Sequence, residues 1–160
     1  MTDPLSGRVL VTGASGFVGS AVARIARERG FDVRVVIRKT SSRQNLEGLD
    51  AEVVIGDMRD EASMRAAMKG VRYLLHVAAD YRIWARDPGE IERANLEGTE
   101  ATMRAALAEG VERIVYTSSV ATLLVYTIRS TPSASAARMV ASVPSRFARS
   151  ISPGSRAQIR

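Results

Sequence analysis

The chain has 160 residues and a mass of 17.3 kDa, enough for one domain of ordinary size and too little for two. Its hydrophobic content of 46% and charged content of 25% exclude a fully disordered chain, a fibrous repeat and a disulfide scaffold. The absence of cysteine excludes thiol catalysis and cysteine metal sites. No export signal and no apolar stretch long enough to span a membrane occur, so we expect a cytoplasmic protein.

The net charge of +6 is confined to the C-terminal third of the chain. Residues 1–112 carry a net charge of −1, whereas residues 113–160 contain seven arginines and no acidic residue. Arginines can bind the phosphates of nucleic acid, but no aromatic stacking surface accompanies them. Nucleic-acid binding is therefore the least favoured interpretation.

Apolar segments alternate with segments of helical spacing over the first 117 residues. Strands are predicted at 8–12, 31–37, 51–55, 71–77 and 111–117, and helices at 17–29, 61–68 and 90–109, with a short helix or loop at 41–48. The predicted apolar face of the first helix comprises Val18, Ala21, Val22, Ile25 and Ala26. The alternation predicts an α/β domain with a doubly wound parallel sheet of about five strands.

The pattern ends near residue 123. Residues 124–160 are rich in Arg, Ser and Ala, contain neither acidic residues nor lysine, and have no sustained helical or strand period. We therefore divide the chain into a domain at 1–123 and an aberrant tail at 124–160, which we expect to be disordered.

A glycine-rich turn stands between the first strand and the first helix. Gly13 would allow a tight turn, Gly16 a close approach of the backbone to a pyrophosphate, and Gly19 close packing of helix on sheet. The free N–H groups and the dipole of the helix N-terminus would bind the phosphates. The alternative is a tight turn that binds nothing. The predicted cofactor contacts here are Gly13, Ser15, Gly16, Phe17, Val18 and Gly19.

The residues after the second strand bear on the choice between NAD and NADP. An acidic residue there would bind the ribose 2′-hydroxyl of NAD, whereas arginine suits the 2′-phosphate of NADP. The chain has Arg38 and Lys39, with no carboxylate between Val35 and Ser42. This favours NADP(H) as the cofactor. NAD(H) stays open, because the two cations could simply be solvated.

The glycine turn and four later segments resemble, in order and spacing, the extended short-chain dehydrogenase/reductase family over residues 7–123. The family's T-G-x-x-G-x-x-G stands at 12–19, G-D-[LM]-x-D at 56–60, H-x-A-A at 76–79, N-x-x-G-T at 95–99 and the fifth-strand motif V-Y-T-S-S at 115–119. Segments 80–88 and 117–123 most resemble hopanoid-associated sugar epimerases, with dihydroflavonol 4-reductases as near relatives.

The resemblance implies a Rossmann fold and hydride transfer between a nicotinamide cofactor and a nucleotide-linked sugar or related hydroxy or keto compound. It also implies a possible homodimer through the long helix. The implied contacts are Asp57 and Met58 at the adenine end of the cofactor, Ala78 and Ala79 at its far ribose, Ser118 beside the cofactor, and Ser119 as the catalytic hydroxyl.

The chain departs from the family in lacking the Tyr-x-x-x-Lys pair that would supply the general base and lower its pKa. No lysine follows Lys69, and Tyr126 has Ser130 four residues later. The last strands and the substrate domain are also missing. We therefore expect a truncated, inactive dinucleotide-binding portion whose tail arose from a frameshift. The alternatives are a genuine basic-tailed variant, a C-terminal fusion, and a non-catalytic module that senses dinucleotides.

Single residues carry further predictions. His76 is expected to be a satisfied core histidine, and no metal cluster can be assembled. Tyr81, Arg82 and Trp84 would face the substrate or pack locally, while Asn95 would hold backbone or water near the site. An uncovered fifth strand would expose apolar surface and an unpaired edge, which predicts poor solubility or assistance from a partner.

Overall fold

The computed structural model describes residues 7–80 and 88–118. The predicted strands and helices are all present, with ends that differ from the prediction by at most two residues, and the segment predicted as a short helix or loop at 41–48 contains a three-residue helix. Their bounds are β1 Arg8–Thr12, α1 Phe17–Glu28, β2 Asp32–Ile37, a 3-10 helix Gln44–Leu46, β3 Glu52–Ile55, α2 Glu61–Met68, β4 Tyr73–His76, α3 Pro88–Ala108 and β5 Arg113–Tyr116. The predicted tail at 124–160, Ser119, and the loop with Tyr81, Arg82 and Trp84 lie outside the described residues.

The five strands form one parallel sheet in the order β3-β2-β1-β4-β5. In the centre, Val11 of β1 pairs with Val35 of β2 on one side and with Leu75 of β4 on the other. The order of the strands reverses between β1 and β4. In doubly wound sheets, ligands bind beyond the carboxyl ends of the strands at this reversal. The prediction of a Rossmann-type parallel sheet is confirmed.

The core has two layers, one on each face of the sheet. Successive residues of β1 alternate between them, because side chains of a strand point to opposite faces. Val9 and Val11 pack in the layer that contains α1, whereas Leu10 packs in the layer that contains α2 and α3. This burial on both faces explains why the central strands read as continuous apolar runs.

The predicted apolar face of α1 is largely wrong. Ala26 is buried and Val22 is partly buried, but Ala21 is exposed, and Val18 and Ile25 are 53% and 51% exposed. The buried residues are Gly19, Ser20, Ala23 and Ala26. A side chain at Gly19 would overlap the carbonyl oxygen of Gly13, so α1 begins too close to the sheet for large residues to face it.

A buried arginine fixes the end of α2 to the sheet. Arg34 of β2 is 7% exposed. Its guanidinium donates to the carbonyl oxygens of Ala67 and Lys69, at 2.7 and 2.9 Å, and pairs with the Glu52 carboxylate at 2.9 Å. The arginine thus satisfies carbonyls that the end of a helix leaves without intrahelical partners.

The fifth strand carries the exposed apolar surface that the sequence predicts. Val115 and Tyr116 are 59% and 42% exposed. The effect of this surface on solubility stays a prediction.

Candidate functional site

The glycine turn after β1 has a geometry that side chains at two of its positions would destroy. Gly13 has a φ of +73°, and a Cβ there would lie 2.8 Å from the backbone nitrogen of Ala78. The Gly16 N–H donates to the Gly13 carbonyl at 2.9 Å, which closes the turn. A Cβ at Gly19 would lie 2.1 Å from the oxygen of the same carbonyl. The turn therefore packs tightly against α1 and against the segment after β4.

The N-terminus of α1 is open to an anion. Gly16 is its N-cap and supplies no side chain to bond the first turn, which also contains no acidic residue. The first N–H with a helical partner is that of Ser20, which donates to the Gly16 carbonyl at 3.0 Å. Within the described residues, the N–H groups of Phe17, Val18 and Gly19 make no hydrogen bond. These donors, together with the helix dipole, fit the pyrophosphate of a dinucleotide.

The end of β4 is held against β1 by the hydroxyl of Thr12. Its oxygen accepts hydrogen bonds from the N–H groups of Val77 and Ala78, both at 3.0 Å. The hydroxyl hydrogen is therefore available for the Nδ1 atom of His76, at 2.9 Å. This contact places the segment that contains Ala78 and Ala79 next to the glycine turn.

The Thr12 contact also determines which ring nitrogen of His76 carries the proton. Because Nδ1 accepts the hydroxyl hydrogen, the ring proton is on Nε2. The side chain is fully buried, and burial lowers its pKa to about 4, so the ring is neutral at pH 7. The prediction of a core histidine is confirmed, but it is only half satisfied: among the described residues, Nε2 has no hydrogen-bond partner.

Asn95 of α3 fixes the backbone that follows Ala79. Its Oδ1 accepts from the Asp80 N–H and its Nδ2 donates to the Asp80 carbonyl, both at 2.7 Å. The expectation that Asn95 holds backbone near the site is confirmed. Together with Thr12, it anchors both sides of the segment that follows β4.

Asp57 follows β3 at the same edge of the sheet. Partial burial raises the pKa of its carboxyl, but the hydrogen bonds from Arg59 and the charges of Arg59 and Arg38 outweigh this, so the pKa lies below its ordinary value. Oδ1 accepts from the Arg59 N–H at 2.9 Å. The carboxylate is therefore charged and suited to accept a hydrogen bond from an amine donor.

Unlike the charged side chain of Asp57, the side chain of Met58 packs against other residues of the fold. Its side chain packs against α3, where a Cβ on Gly98 would lie 2.7 Å from the Met58 Cε atom. It joins the core between the sheet and the two later helices. Gly98 provides the space for this side chain, which is partly buried.

Arg38 and Lys39 extend from the end of β2 and are both exposed. The Ser41 N–H donates to the Arg38 carbonyl at 2.9 Å, which turns the chain after the two cations. In the part of the chain that the structure describes, neither side chain forms an ion pair or a hydrogen bond. Arg38 lies close enough to Asp57 to lower the pKa of its carboxyl, so this edge of the sheet carries one anion and one cation near each other.

Sequence reasoning missed one residue of the glycine turn's surroundings. The side chain of Asn45, in the 3-10 helix, donates from Nδ2 to the Ser15 carbonyl at 2.8 Å. No local pattern could have revealed this contact, because the partners are 30 residues apart. A polar residue in a short connecting helix has the appearance of an ordinary surface residue.

The remaining predicted positions are at the end of β5. Ser118 is exposed and follows Thr117, whose N–H donates to the His76 carbonyl at 2.9 Å.

The described ranges hold no group of three or more residues that could bind a metal ion. No helix within them has both the length and the apolar character required to cross a membrane.

Comparisons with known proteins agree with this geometry. The family model of the NAD-dependent epimerase/dehydratase family matches residues 9–128. A putative dihydroflavonol 4-reductase from Synechocystis sp. is 41% identical over 113 residues, which are 71% of this chain and 33% of the relative.

Two solved structures extend the comparison. The crystal structure of gox2253 superposes with a TM-score of 0.69 and 54% identity, covering 72% of this chain and 35% of that one. A UDP-glucose 4-epimerase from Stenotrophomonas maltophila, solved with NAD and a formylated UDP-arabinopyranose, gives a TM-score of 0.66 and 28% identity, covering 72% and 38%.

This chain spans about a third of the length of the relatives that it matches. The matched part contains the glycine turn, the five strands and the Asp57 position, and the family model covers most of the chain. The chain belongs to the NAD-dependent epimerase/dehydratase family.

Proposed function

We propose that this chain is the dinucleotide-binding portion of a reductase or epimerase, and that by itself it binds the cofactor weakly without turning over substrate. The observation that carries the proposal is the N-terminus of α1, where three N–H groups stand without partners among the described residues and no acidic side chain occupies the first turn. Asp57 supports it, because a charged carboxylate at the same edge suits the adenine amine.

NADP(H) is the proposed cofactor, and NAD(H) is the second candidate. The 2′-phosphate of NADP needs cations beyond the end of β2, and Arg38 and Lys39 are exposed there with no ion pair to any described residue. NAD(H) stays the second candidate because the Stenotrophomonas maltophila epimerase was solved with NAD bound.

We propose that the full-length protein acts on a nucleotide-linked sugar or a related hydroxy or keto compound. When bound, the nicotinamide ring would supply or accept the hydride. The part of this chain that the structure describes would bind and orient the cofactor. Ser119 is the proposed catalytic hydroxyl, and the chain has no lysine after Lys69 to lower the pKa of a tyrosine base.

The binding proposal is tested by titrating ADP-ribose into the 160-residue chain and into Gly16→Asp. An aspartate is a good N-cap, and its Cβ would lie 3.3 Å from the Gly13 carbonyl oxygen, so this variant should fold after a small adjustment of the turn. Its carboxylate repels the pyrophosphate and should lower affinity by about tenfold or more. Ala21→Asp adds the same charge on an exposed part of α1 and should bind normally. If the wild type binds no ADP-ribose at millimolar concentration, the proposal is wrong.

The cofactor preference is tested with Arg38→Asp and competitive titration of NADP⁺ against NAD⁺. Losing a charge-assisted contact to the 2′-phosphate and adding a repulsive carboxylate should weaken NADP⁺ by about tenfold or more, with NAD⁺ little changed. Arg29→Asp, on an exposed residue after α1, is the matched control. An unchanged preference in Arg38→Asp would exclude the 2′-phosphate role.

The absence of turnover is tested with the same purified chain. We expect no transfer of hydride when it is mixed with reduced cofactor and aldehyde or ketone substrates. Sustained oxidation of the reduced cofactor, dependent on the carbonyl compound, would overturn this part of the proposal.

A further inference from the structure

The 3-10 helix at 44–46 is tied to the glycine turn and to α1 by side chains on both sides. Asn45 donates to the Ser15 carbonyl at 2.8 Å. In return, Arg24 of α1 donates from one guanidinium nitrogen to the carbonyl oxygens of Asn45 and Glu47, at 3.0 and 2.8 Å. Leu46 is 8% exposed and belongs to the core on the α1 side of the sheet. The short helix is therefore a rigid support for Asn45.

The contact acts on one peptide group of the phosphate-binding turn. The carbonyl of Ser15 and the N–H of Gly16 belong to the same planar unit and point in opposite directions. The N–H donates to Gly13 at 2.9 Å, and the carbonyl accepts from Asn45. Both ends of this unit are thus bonded, which prevents it from rotating about its neighbouring single bonds.

The orientation of this unit matters because it directly precedes the open N–H groups of α1. A rotation would bring the negative end of the Ser15 carbonyl dipole towards an anion at the helix N-terminus, and would break the bond that closes the turn. Within the described residues, Asn45 is the only partner of the Ser15 carbonyl. Removing the amide would therefore leave the peptide unit held by the Gly16 N–H bond alone, and the unit could rotate more easily.

We propose that Asn45 is a positioning residue for pyrophosphate binding, which holds the Ser15–Gly16 peptide in the orientation that leaves the N-terminus of α1 open to the phosphates. This inference rests on the proposed dinucleotide binding. Asn45 would act through Ser15 and need not touch the cofactor. Because NAD and NADP share the pyrophosphate, a substitution of Asn45 should lower the affinity for both to the same degree. A substitution of Arg38, in contrast, should affect NADP alone.

The test compares Asn45→Ala, Asn45→Asp and the control Gln44→Ala in titrations with ADP-ribose and with adenosine. Gln44 neighbours Asn45, is exposed, and its side chain makes no hydrogen bond to any described residue. Loss of one hydrogen bond should weaken ADP-ribose about fivefold in Asn45→Ala. Asn45→Asp has the same shape but places a carboxylate against the Ser15 carbonyl, so the loss should reach about tenfold or more. Adenosine, which lacks phosphates, should bind equally to all variants.

Each result supports or overturns the inference. Failure of the wild type to bind ADP-ribose would remove the proposed function itself. Normal binding by the wild type with less than about a twofold loss in both Asn45 variants would overturn the role of Asn45 alone. Equal losses for ADP-ribose and adenosine would also overturn the role of Asn45, because they would show a general structural defect, which thermal unfolding of the unliganded variants would reveal as a lowered Tm. If competitive titration of NADP⁺ against NAD⁺ showed a changed preference in Asn45→Ala, the effect would lie in the loop that carries Arg38 and Lys39, which would also contradict the proposal.

Discussion

Acid should destabilise this fold through His76, the single histidine of the chain. Burial lowers the pKa of its ring from 6.5 to about 4 in the folded state, whereas the unfolded chain exposes the ring at its ordinary pKa. Protonation therefore favours the unfolded chain. The stability that the neutral ring contributes is fully present above pH 6.5, is lost progressively as the pH falls towards 4, and changes no further below that.

The size of the effect follows from the two pKa values. The difference between 6.5 and about 4 corresponds to about 3 kcal/mol of unfolding free energy once the ring is fully titrated in both states. At pH 4.5, about 2 kcal/mol of this should be lost relative to pH 7. That is a substantial part of the stability of a small domain.

The assay is urea unfolding of the wild type and of His76→Phe at pH 7 and pH 4.5. Phenylalanine keeps an aromatic ring against Tyr116, whose ring centre is 5.5 Å from that of His76, but it cannot be protonated. It loses the hydrogen bond to Thr12, so the variant should be less stable at pH 7. Between the two pH values, however, it should lose about 2 kcal/mol less than the wild type, because the carboxyl groups titrate in both proteins.

A direct measurement is also possible because one histidine gives one Cε1–H signal in the proton NMR spectrum. A titration of that signal in the folded protein should give a pKa near 4. A value above about 6, or equal acid losses in the wild type and His76→Phe, would refute the argument that the ring is buried and neutral.

Three other substitutions test the contacts around the site by urea unfolding. Thr12→Val should lower the free energy of unfolding by about 3 kcal/mol, because two backbone N–H groups and an imidazole nitrogen lose their partner. Gly19→Ala should cost about 2 kcal/mol and weaken dinucleotide binding, because its Cβ would overlap the Gly13 carbonyl. Arg34→Met should cost about 2 kcal/mol, because Glu52 and the last carbonyls of α2 lose a buried donor.

Each of these variants has a matched control. Thr12→Ser keeps the hydroxyl and should lose less than about 1 kcal/mol. Ala21→Ser changes an exposed residue of α1 and should stay within about 0.5 kcal/mol of the wild type. Arg34→Lys keeps the charge with fewer donors and should lie between the wild type and Arg34→Met. A loss in Thr12→Val no larger than in Thr12→Ser would contradict the assigned hydrogen bonds.

Local sequence determined the secondary structure and the position of the candidate cofactor site. The parallel strands are buried on both faces and therefore read as unbroken apolar runs, and positive-φ glycines at 30, 70 and 110 end the helical segments. The glycine spacing between β1 and α1 follows from a steric requirement of the backbone, which has no room for a Cβ at Gly13 and Gly19. The spacing could therefore be interpreted without any knowledge of tertiary contacts.

Tertiary structure decided what the local pattern left open. The period of α1 was visible in the sequence, but which side packs on the sheet depended on the close approach of Gly19 to Gly13, and this placed Val18 and Ile25 outside. The hydrogen bond from Thr12 to His76 joins residues 64 apart, and that from Asn45 to Ser15 joins residues 30 apart. Propensity and periodicity act over a few residues, whereas these contacts exist only once the strands have paired and the turns meet at one edge of the sheet.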